Sequence, residues 1–449
     1  MIDIKFIREN PDAVRTACAK KGFADPVDEI LAMDVRVRAL KTSTQAKTAK
    51  KNKITAQIPN ADSCARSALI AESKKIGTEI ADDEDALKKA EMELNELLHR
   101  VPQIPSKDSP VGPDALSNVV TKESGSRRNF DFTPRPHWEI LDMNNWWMPE
   151  KIAEVCGSRE YCLMGDAAEL DLAIQTFVIQ KMTANGFTFI QVPSIVKPQS
   201  VFDAGHFPGG DLSVMDNDVF YLDETRNSKL ETRDSEIESR ISNLESRKCL
   251  SGTCEIVLNS LHNNEIMPED MLPIKYAGWS PCFRKEAGAA GRDTRGLIRI
   301  HQFHKVEQFI FCKPEQSDEM HALLLGFLEE IMTDLELPYH VLATSTGDMG
   351  FNKIKMDDIE AWFPSENEYR ELGSCSSIGE FQSRRTMTRY RENGTNEVKY
   401  CATLNNTAIA LPRSLAALIE NHQNADGSIN VPKALQPLMG GRTRIGVKK

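Results

Sequence analysis

Two long helical segments near the start of the chain constrain its fold most. Residues 27–60 contain no glycine and a single proline, Pro59, and residues 61–101 contain no proline and a single glycine, Gly77. Apolar residues recur in both segments at steps of three and four, which predicts one narrow apolar stripe along each helix. A second helix that folds back on the first covers such a stripe, so we expect an antiparallel coiled-coil hairpin with its turn at 58–60.

Basic and acidic residues are segregated on this hairpin. Between Asp34 and Asp62 there is no acidic residue. The basic residues of that stretch, here called the basic stripe, are Arg36, Arg38, Lys41, Lys47, Lys50, Lys51 and Lys53. The 449-residue chain has a formal net charge of −11, so a nucleic acid would have to meet a local basic surface. The stripe is either a solvated face partly paired with the return helix or a surface that follows a phosphate backbone.

The rest of the chain has a different pattern, which starts after a proline-rich exit at residues 101–113. Short apolar runs and turns predict an α+β fold, with a largely antiparallel sheet flanked by helices. Predicted strands are 188–192, 219–222, 298–303, 306–311, 358–363 and 398–403, and predicted helices are 167–185, 318–335 and 410–424. The highly charged segment 224–248 predicts a short amphipathic helix or a solvated loop.

Apolar runs and cysteines indicate a soluble protein in a reducing compartment. No window approaches the length of a membrane span, and the N-terminal residues have the character of neither a signal peptide nor a transit peptide. Ten cysteines are scattered without the paired spacing of zinc modules, so we expect reduced thiols and no structural zinc.

A candidate polyphosphate site lies in the middle of the chain. Arg284 and Glu286 are two residues apart on a predicted strand and would therefore point to the same side. A glycine-rich loop spans 286–296, and the chain then returns through 297–303 to Glu307. Such a hairpin, with arginines on its inner face, can hold a polyphosphate. An exposed, salt-bridged hairpin would show the same pattern.

The segment CFRKEAGAAGRDTRGLIRIHQFHKVEQF resembles the motif 2 hairpin of class II aminoacyl-tRNA synthetases in its seryl form. Other segments agree with that family in the same order: RPHWEI, GTCE, GDMGF, DIEAWFPSENEYRELGSCSS, EFQSRR and LPRSLAALIENHQNADGSINVP. The resemblance covers nearly the entire chain. It implies a class II antiparallel sheet flanked by helices, preceded by a coiled-coil arm.

The resemblance also implies a domain organisation. Residues 1–112 would form a tRNA-binding domain with its arm at about 27–100, and residues 113–449 a class II catalytic domain. Within the catalytic domain, motif 1 is expected at about 167–193, motif 2 at about 280–311, motif 3 at about 401–424 and a charged insertion at about 224–248. Because motif 1 pairs subunits in this class, a homodimer is implied.

The implied activity is that of a serine–tRNA ligase, which makes seryl-adenylate from L-serine and ATP and transfers the seryl group to the terminal adenosine of tRNA(Ser). Whether tRNA(Sec) is also charged stays open. Arg284 would hold the α-phosphate and the serine carboxylate, and Phe303 would stack on adenine, with Glu286 binding the adenine amino group. The ATP-binding set so implied is Arg284, Lys285, Glu286, Arg299, Ile300, His301, Gln302, Phe303, Glu371, Leu372, Gly373, Ser374 and Arg413, with Arg284 and Arg413 as the catalytic residues.

The same resemblance implies the remaining sites. The serine pocket would comprise Thr253, Cys254, Glu255, Arg284, Glu307, Asn405 and Thr407. Magnesium, bound with ATP, would be held by Glu371 and Ser374, since Mg²⁺ takes oxygen ligands. A buried acceptor such as Glu307 would reject alanine, which leaves the acceptor unpaired. The basic stripe would bind the tRNA backbone.

Two alternatives to a housekeeping enzyme are a catalytically weak paralogue that binds tRNA or regulates, and a supplier of seryl-tRNA to a biosynthetic pathway. Motif 3 reads NNTAIALPR, residues 405–413, in place of a glycine-rich stretch, and its ending is similar to organellar members of the family. The lack of a transit-peptide pattern predicts a cytoplasmic protein, and the organelle-like ending of motif 3 makes a mature mitochondrial chain the second choice.

Overall fold

A computed structural model describes residues 1–206, 218–222, 247–287 and 295–447. The chain divides into two compact units, Met1–Ile104 and Pro105–Lys449. The division falls close to residue 113, where the predicted catalytic domain begins. Residues 224–246 of the predicted insertion and residues 288–294 of the glycine-rich loop lie outside the described residues.

The first unit is helical, and it confirms the predicted coiled-coil hairpin. Its helices are α1 (Ile4–Glu9), α2 (Pro11–Lys21), α3 (Val27–Gln57) and α4 (Ser63–His99), and a 3₁₀ turn, Ile58–Asn60, joins the two long helices. The carboxylate of Asp62 caps α4 by accepting hydrogen bonds from the backbone N–H groups of Cys64 and Ala65. Buried apolar residues at the base of the hairpin pack it against α1 and α2: Ile7, Val14, Val27, Ile30, Val37, Ala90, Leu94 and Leu98.

The second unit combines helices and strands. Its described helices are α5 (His137–Asn144), α6 (Pro149–Cys156), α7 (Gly165–Ala184), α8 (Pro198–Ala204), α9 (Glu255–Ser260), α10 (Ser317–Asp334), α11 (Phe381–Thr386) and α12 (Arg413–His422). Its described strands are β1 (Val119–Ser124), β2 (Thr188–Gln191), β3 (Ile195–Val196), β4 (Tyr221–Leu222), β5 (Lys248–Leu250), β6 (Ile266–Pro268), β7 (Ile274–Phe283), β8 (Gln302–Cys312), β9 (Tyr339–Ala343), β10 (Lys355–Phe363), β11 (Glu368–Gly379), β12 (Arg389–Arg391), β13 (Val398–Tyr400), β14 (Ala402–Leu411), β15 (Ile429–Asn430) and β16 (Arg444–Ile445).

One large sheet organises this unit. Its strand order is β1-β9-β10-β11-β14-β8-β7-β2. Neighbouring strands are antiparallel except for β2, which is parallel to β7 at the edge of the sheet. Helices α7, α10 and α12 pack on this sheet, and their buried apolar residues form its main core with those of the strands. The predicted antiparallel sheet flanked by helices is thus confirmed.

Three predicted element boundaries are wrong. The segment 298–303 is not a strand of its own: β8 starts at Gln302 and runs unbroken to Cys312, and the backbone N–H of His301 donates to the carbonyl of Arg159 instead of to a ladder. The predicted strand 398–403 is divided between β13 and β14. The helix predicted from residue 410 begins at Arg413, because the two preceding apolar residues belong to β14.

Among the described residues, no helix combines the length and the apolar composition that crossing a membrane requires.

Candidate active site

A cleft of about 290 Å³ lies on one face of the large sheet. It is lined by residues that follow β7, residues around β8 and residues of β11 and β14. The predicted site residues that line it are Thr253, Glu255, Arg284, Glu286, Arg299, Ile300, Phe303, Glu371, Leu372, Gly373, Ser374, Asn405, Thr407 and Arg413. Strands β8, β14 and β11 are neighbours in the sheet, which is why residues more than 100 positions apart meet here.

The prediction that Arg284 and Glu286 share one side of a strand is wrong, although both residues line the cleft. Strand β7 ends at Phe283, before either of them. Glu286 adopts a left-handed backbone conformation with φ of 53°, so period-two alternation no longer applies. The guanidinium of Arg284 lies 5.2 Å from the centre of the Phe303 ring, and its Nε donates to the carbonyl of Gly252.

Two further arginines face the same cleft. The guanidinium of Arg299 is ion-paired with the carboxylate of Glu286. Arg413 donates to the backbone carbonyl of Glu371 at 2.8 Å, which fixes the first residue of α12 against β11. Burial lowers the pKa of Arg413, as do the positive charges of Arg284 and Arg299, although the nearby Glu371 opposes this. The concentration of cations favours an anionic ligand with several charges.

Two buried carboxylates occur at one end of the cleft: Glu255 lines it, and Glu307, which is fully buried, contacts lining residues from beneath. The side-chain amide of Asn405 donates to both, at 2.8 Å to Glu255 and 3.2 Å to Glu307. The hydroxyl of Thr253 is 3.4 Å from Glu307. Thr407 is the residue paired with Glu307 across β14 and β8, so the two side chains lie side by side. This end of the cleft is built to hold hydrogen-bond donors.

Glu255 stays ionised despite its burial. Burial raises its pKa, but the net pKa is lowered by His206, Lys305 and the side-chain amide of Gln382. His206 lies 3.3 Å from Glu255, and Gln382 donates to it at 2.6 Å.

Lys305 is the most informative residue that sequence reasoning missed. It lines the cleft, is almost wholly buried, and is ion-paired with Glu307. Because Lys305 and Glu307 are two residues apart on one strand, their side chains share a face, which is a signal that the sequence already carried. The other unpredicted residues of the cleft wall are His206, Leu297, Ile298, Asn352, Lys353, Met356, Ala410, Leu411 and Pro412.

Five residues of the predicted ATP and serine sites do not line the cleft. One is Glu307, which is 0% exposed and lies beneath the lining residues Thr253, Lys305 and Asn405. Cys254 is buried behind it, with its sulfur 3.4 Å from the carbonyl of Lys305. The ammonium of Lys285 lies 5.9 Å from the Tyr221 ring. His301 contacts the carbonyl of Arg284 through Nδ1 at 3.0 Å, and Gln302 pairs with Phe283 in the ladder between β7 and β8.

Oxygen groups suited to a hard cation occur beside the arginines. Asp358 lies directly opposite Ser374 across β10 and β11, on the face of the sheet that carries Ser374, and Glu360 pairs with Glu371. Asp358 is 8% exposed, and its Oδ1 has no hydrogen-bond partner among the residues that the structure describes. Burial, and then the negative charge of Glu371, raises the pKa of both Asp358 and Glu360. In the described part of the chain, no three His, Cys, Asp or Glu side chains are spaced to hold a metal by themselves.

The basic stripe on α3 is largely paired with the return helix α4. The pairs across the hairpin are Arg36 with Glu93, Lys41 with Glu91, Lys47 with Asp83 and Lys50 with Glu72. Arg38 pairs with Asp34 on its own helix. Within the described residues, Lys51 and Lys53 form no ion pair, so the uncompensated charge lies toward the tip of the hairpin.

Comparison with known proteins gives consistent similarities. The family described as the seryl-tRNA synthetase N-terminal domain matches residues 1–105, and the class II tRNA synthetase core domain (G, H, P, S and T) matches residues 236–422. A serine–tRNA ligase of Deinococcus radiodurans is 42% identical, with 99% of each chain covered. A serine–tRNA ligase of Symbiobacterium thermophilum is 38% identical, covering 97% of this chain and 98% of that one.

Solved structures are similar over the full length as well. The crystal structure of seryl-tRNA synthetase from Pyrococcus horikoshii complexed with ATP has a TM-score of 0.88 at 32% identity, covering 100% of both chains. The cytoplasmic serine–tRNA ligase from Naegleria fowleri in complex with AMP has a TM-score of 0.85 at 29% identity, covering 100% of this chain and 99% of that one.

Proposed function

The chain belongs to the seryl-tRNA synthetase family, and from this premise we propose how its cleft carries out the reaction. It is a serine–tRNA ligase that uses ATP. The observation that carries the mechanism is the convergence of Arg284, Arg413 and Glu371 in one cleft, one end of which is lined by Asn405, a donor to the buried carboxylate of Glu307.

The first step joins serine to AMP. The serine carboxylate attacks the α-phosphorus of ATP, a bond forms between them, and pyrophosphate leaves. No side chain needs to act as a nucleophile, so the chain contributes positioning and charge stabilisation. Arg284 bridges the two anionic groups that must approach each other, because its planar guanidinium can donate to both at once.

The rest of the nucleotide follows the wall of the cleft. Adenine stacks on Phe303, and Glu286 accepts from its amino group. Arg299 and Arg413 contact the terminal phosphates. Lys285, His301 and Gln302, which do not line the cleft, remain predicted ATP contacts that no observation here tests.

Serine occupies the end with the two carboxylates. Glu307 and Thr407 bind its hydroxyl, while Thr253, Glu255 and Asn405 surround its ammonium group. Alanine lacks the hydroxyl and leaves Glu307 short of a donor, which is costly in a site closed to water. The terminal adenosine of tRNA(Ser) then takes the seryl group from the adenylate through its 3′-hydroxyl.

The donor set fits a magnesium ion. Glu371 and Ser374 would hold it, and Oδ1 of Asp358, which has no hydrogen-bond partner among the described residues, lies on the strand next to Ser374 and makes this region attractive to a cation. A bound magnesium ion neutralises phosphate charge.

The coiled-coil hairpin is proposed to bind tRNA along its backbone. The basic stripe supports this. Because most of its residues are ion-paired with α4, the main tRNA contact is proposed near the tip of the hairpin, where Lys51 and Lys53 carry uncompensated charge. A lysine that is already ion-paired must give up its carboxylate partner to bind a phosphate, so it contributes less binding free energy than an unpaired lysine.

A homodimer is proposed through motif 1. Strand β2 is an edge of the large sheet, and apolar side chains are exposed beside it and on α7: Leu172 is 62%, Phe189 39% and Ile195 53% exposed. Open edges and apolar patches of this kind are usually covered by a partner. The compartment stays a prediction, with cytoplasm first and the mitochondrion second.

Amino-acid-dependent pyrophosphate exchange tests the proposed function. With purified protein, ATP and magnesium, we expect exchange with serine and a rate at least about 100-fold lower with alanine at equal concentration. Threonine is expected to be excluded by the wall of the pocket. A protein that binds tRNA but shows no exchange with saturating serine would support the paralogue alternative instead.

Replacing Gly373 by alanine is expected to weaken serine binding. A Cβ at this position would lie 2.9 Å from the carbonyl oxygen of Thr407 and 3.1 Å from its Cβ, so Thr407 must move. We expect the KM for serine to rise about tenfold, the free-energy equivalent of a modest packing shift. Gly326→Ala is the matched control, because nothing lies within 4 Å of a Cβ there. An unchanged KM in the Gly373 variant would show that Thr407 does not contact serine.

A further inference from the structure

The buried lysine of the cleft has no role in the mechanism above. Lys305 of β8 lines the cleft, and its ammonium is ion-paired with the carboxylate of Glu307, which is buried beneath the lining residues. Glu307 is 0% exposed and Lys305 is 7% exposed, so water does little to screen either charge.

The charged and titratable groups around this pair come from several elements. Glu255 of α9, Arg284 after β7, and the thiols of Cys254 and Cys282 all interact electrostatically with Lys305. His206, after α8, contacts Glu255. Neutral donors complete the surroundings of Glu307, namely the hydroxyl of Thr253 and the amide of Asn405.

We propose that Lys305 is a positioning residue for amino-acid selection: its ammonium keeps Glu307 ionised and oriented as an acceptor for the substrate hydroxyl. This inference rests on the proposed function, because it assigns a second residue to the serine pocket of that same site.

The two buried carboxylates of this site need positive charge nearby. Two buried carboxylates, Glu255 and Glu307, lie close enough to share Asn405 as a donor. Removing water from a carboxylate is costly, and two of them together are costlier, so one would take up a proton unless a cation were present. Among the described residues, Lys305 is the cation ion-paired with Glu307, whereas His206 contacts Glu255. A protonated Glu307 would present a donor where the substrate hydroxyl needs an acceptor.

A positioning role and a merely structural role of Lys305 predict different effects on the ratio of kcat/KM for serine to that for alanine. Both serine and alanine carry the α-ammonium and carboxylate groups, so those contacts cancel in the ratio of their kcat/KM values. The hydroxyl contact with Glu307 does not cancel. Loss of Lys305 should therefore lower the serine-to-alanine ratio, whereas general damage to the cleft should lower both kcat/KM values together.

The experiment measures pyrophosphate exchange with serine and with alanine for the wild type, Lys305→Met and Lys305→Arg, at pH 7 and pH 9. For Lys305→Met at pH 7 we expect kcat/KM for serine to fall about 100-fold and the serine-to-alanine ratio to fall at least about tenfold. At pH 9 the ratio should recover in part, because higher pH restores the ionised carboxylate. Lys305→Arg, which keeps the charge, should retain more of the ratio than Lys305→Met.

A double-mutant cycle with Glu307→Gln guards against misfolding. Removing both charges together leaves no unpaired buried ion, so the double variant should fold even if Lys305→Met does not. In the Glu307→Gln background, Lys305→Met should leave the ratio unchanged. Lys399→Met, at a half-buried, ion-paired lysine of β13 outside the cleft, serves as a control for lysine removal.

Equal loss for serine and alanine in Lys305→Met, without recovery at pH 9, would overturn the inference. So would a further fall of the ratio when Lys305→Met is added to Glu307→Gln. A wild type that shows no serine-dependent exchange would instead refute the proposed function, so the two failures are distinct.

Discussion

Arg284→Gln is expected to lower kcat/KM for serine-dependent pyrophosphate exchange about 1,000-fold. Its guanidinium faces the cleft between the Phe303 ring and the carbonyl of Gly252, within the electrostatic reach of Arg413 and Lys305. Glutamine keeps some hydrogen-bonding capacity but loses the charge and the fork that bring two anions together.

The loss should appear mainly in the chemical step, because the proposed place of Arg284 is where the serine carboxylate approaches the α-phosphate. Binding of a non-hydrolysable ATP analogue, measured by calorimetry, is expected to weaken much less than the rate. Arg391→Gln is the matched control, since Arg391 is an exposed arginine on β12 outside the cleft. Equal effects of the two substitutions on the rate would contradict the assignment of Arg284.

Shortening the hairpin is expected to separate the two half-reactions. The variant lacks residues 44–82 and joins Ser43 to Asp83 by a short glycine turn. The hydroxyl of Ser43 donates to Asp83 at 2.8 Å, so the new ends already lie side by side. The base of the hairpin keeps its core, which includes Val37, Ala90 and Leu94.

We expect pyrophosphate exchange to stay within about twofold of the wild type and kcat/KM for tRNA charging to fall at least about 100-fold, because phosphate contacts supply most of such affinity. The readout is charging of tRNA(Ser) with labelled serine. A variant that charges tRNA as well as the intact chain does would refute the proposed role of the hairpin.

Two variants, each with two substitutions, test where in the basic stripe tRNA is contacted. Lys51→Gln with Lys53→Gln removes the charges that α4 does not pair, and Lys41→Gln with Lys50→Gln removes two that it does pair. The first variant should reduce the salt dependence of tRNA binding more than the second.

Sequence patterns predicted the architecture well where local periodicity controls it. The apolar stripes of α3 and α4, the break at Pro59 and the helices α7 and α10 all depend on spacing within one segment. Element ends were predicted less well. Residues 298–301 alternate like a strand, but the chain there bends to bring Arg299 to Glu286, a contact made through tertiary structure.

Some residues of the candidate site were predicted from the sequence and others were missed. Residue types and the resemblance of motif 2 predicted the arginines, Phe303 and Glu307 as site residues, because each lies in a segment with a characteristic order of residues. The arginines and Phe303 do line the cleft. His206 was missed, since nothing in its neighbours indicates a ligand, and its contact is with Glu255, 49 residues along the chain. Lys305 was missed although its spacing from Glu307 was visible, because only the structure shows that both charges are buried.

By itself, the sequence determined the coiled-coil hairpin and the α+β class, since these follow from periodicity and from the order of its elements; the resemblance of its ordered motifs predicted the anion-binding side chains. Tertiary structure alone decided which buried charges meet. Glu255 and Asn405 are 150 residues apart and share a hydrogen bond only because the β8–β14 register and the packing of α9 bring them together. Local sequence does not encode such register, because strand pairing depends on the whole sheet that surrounds it.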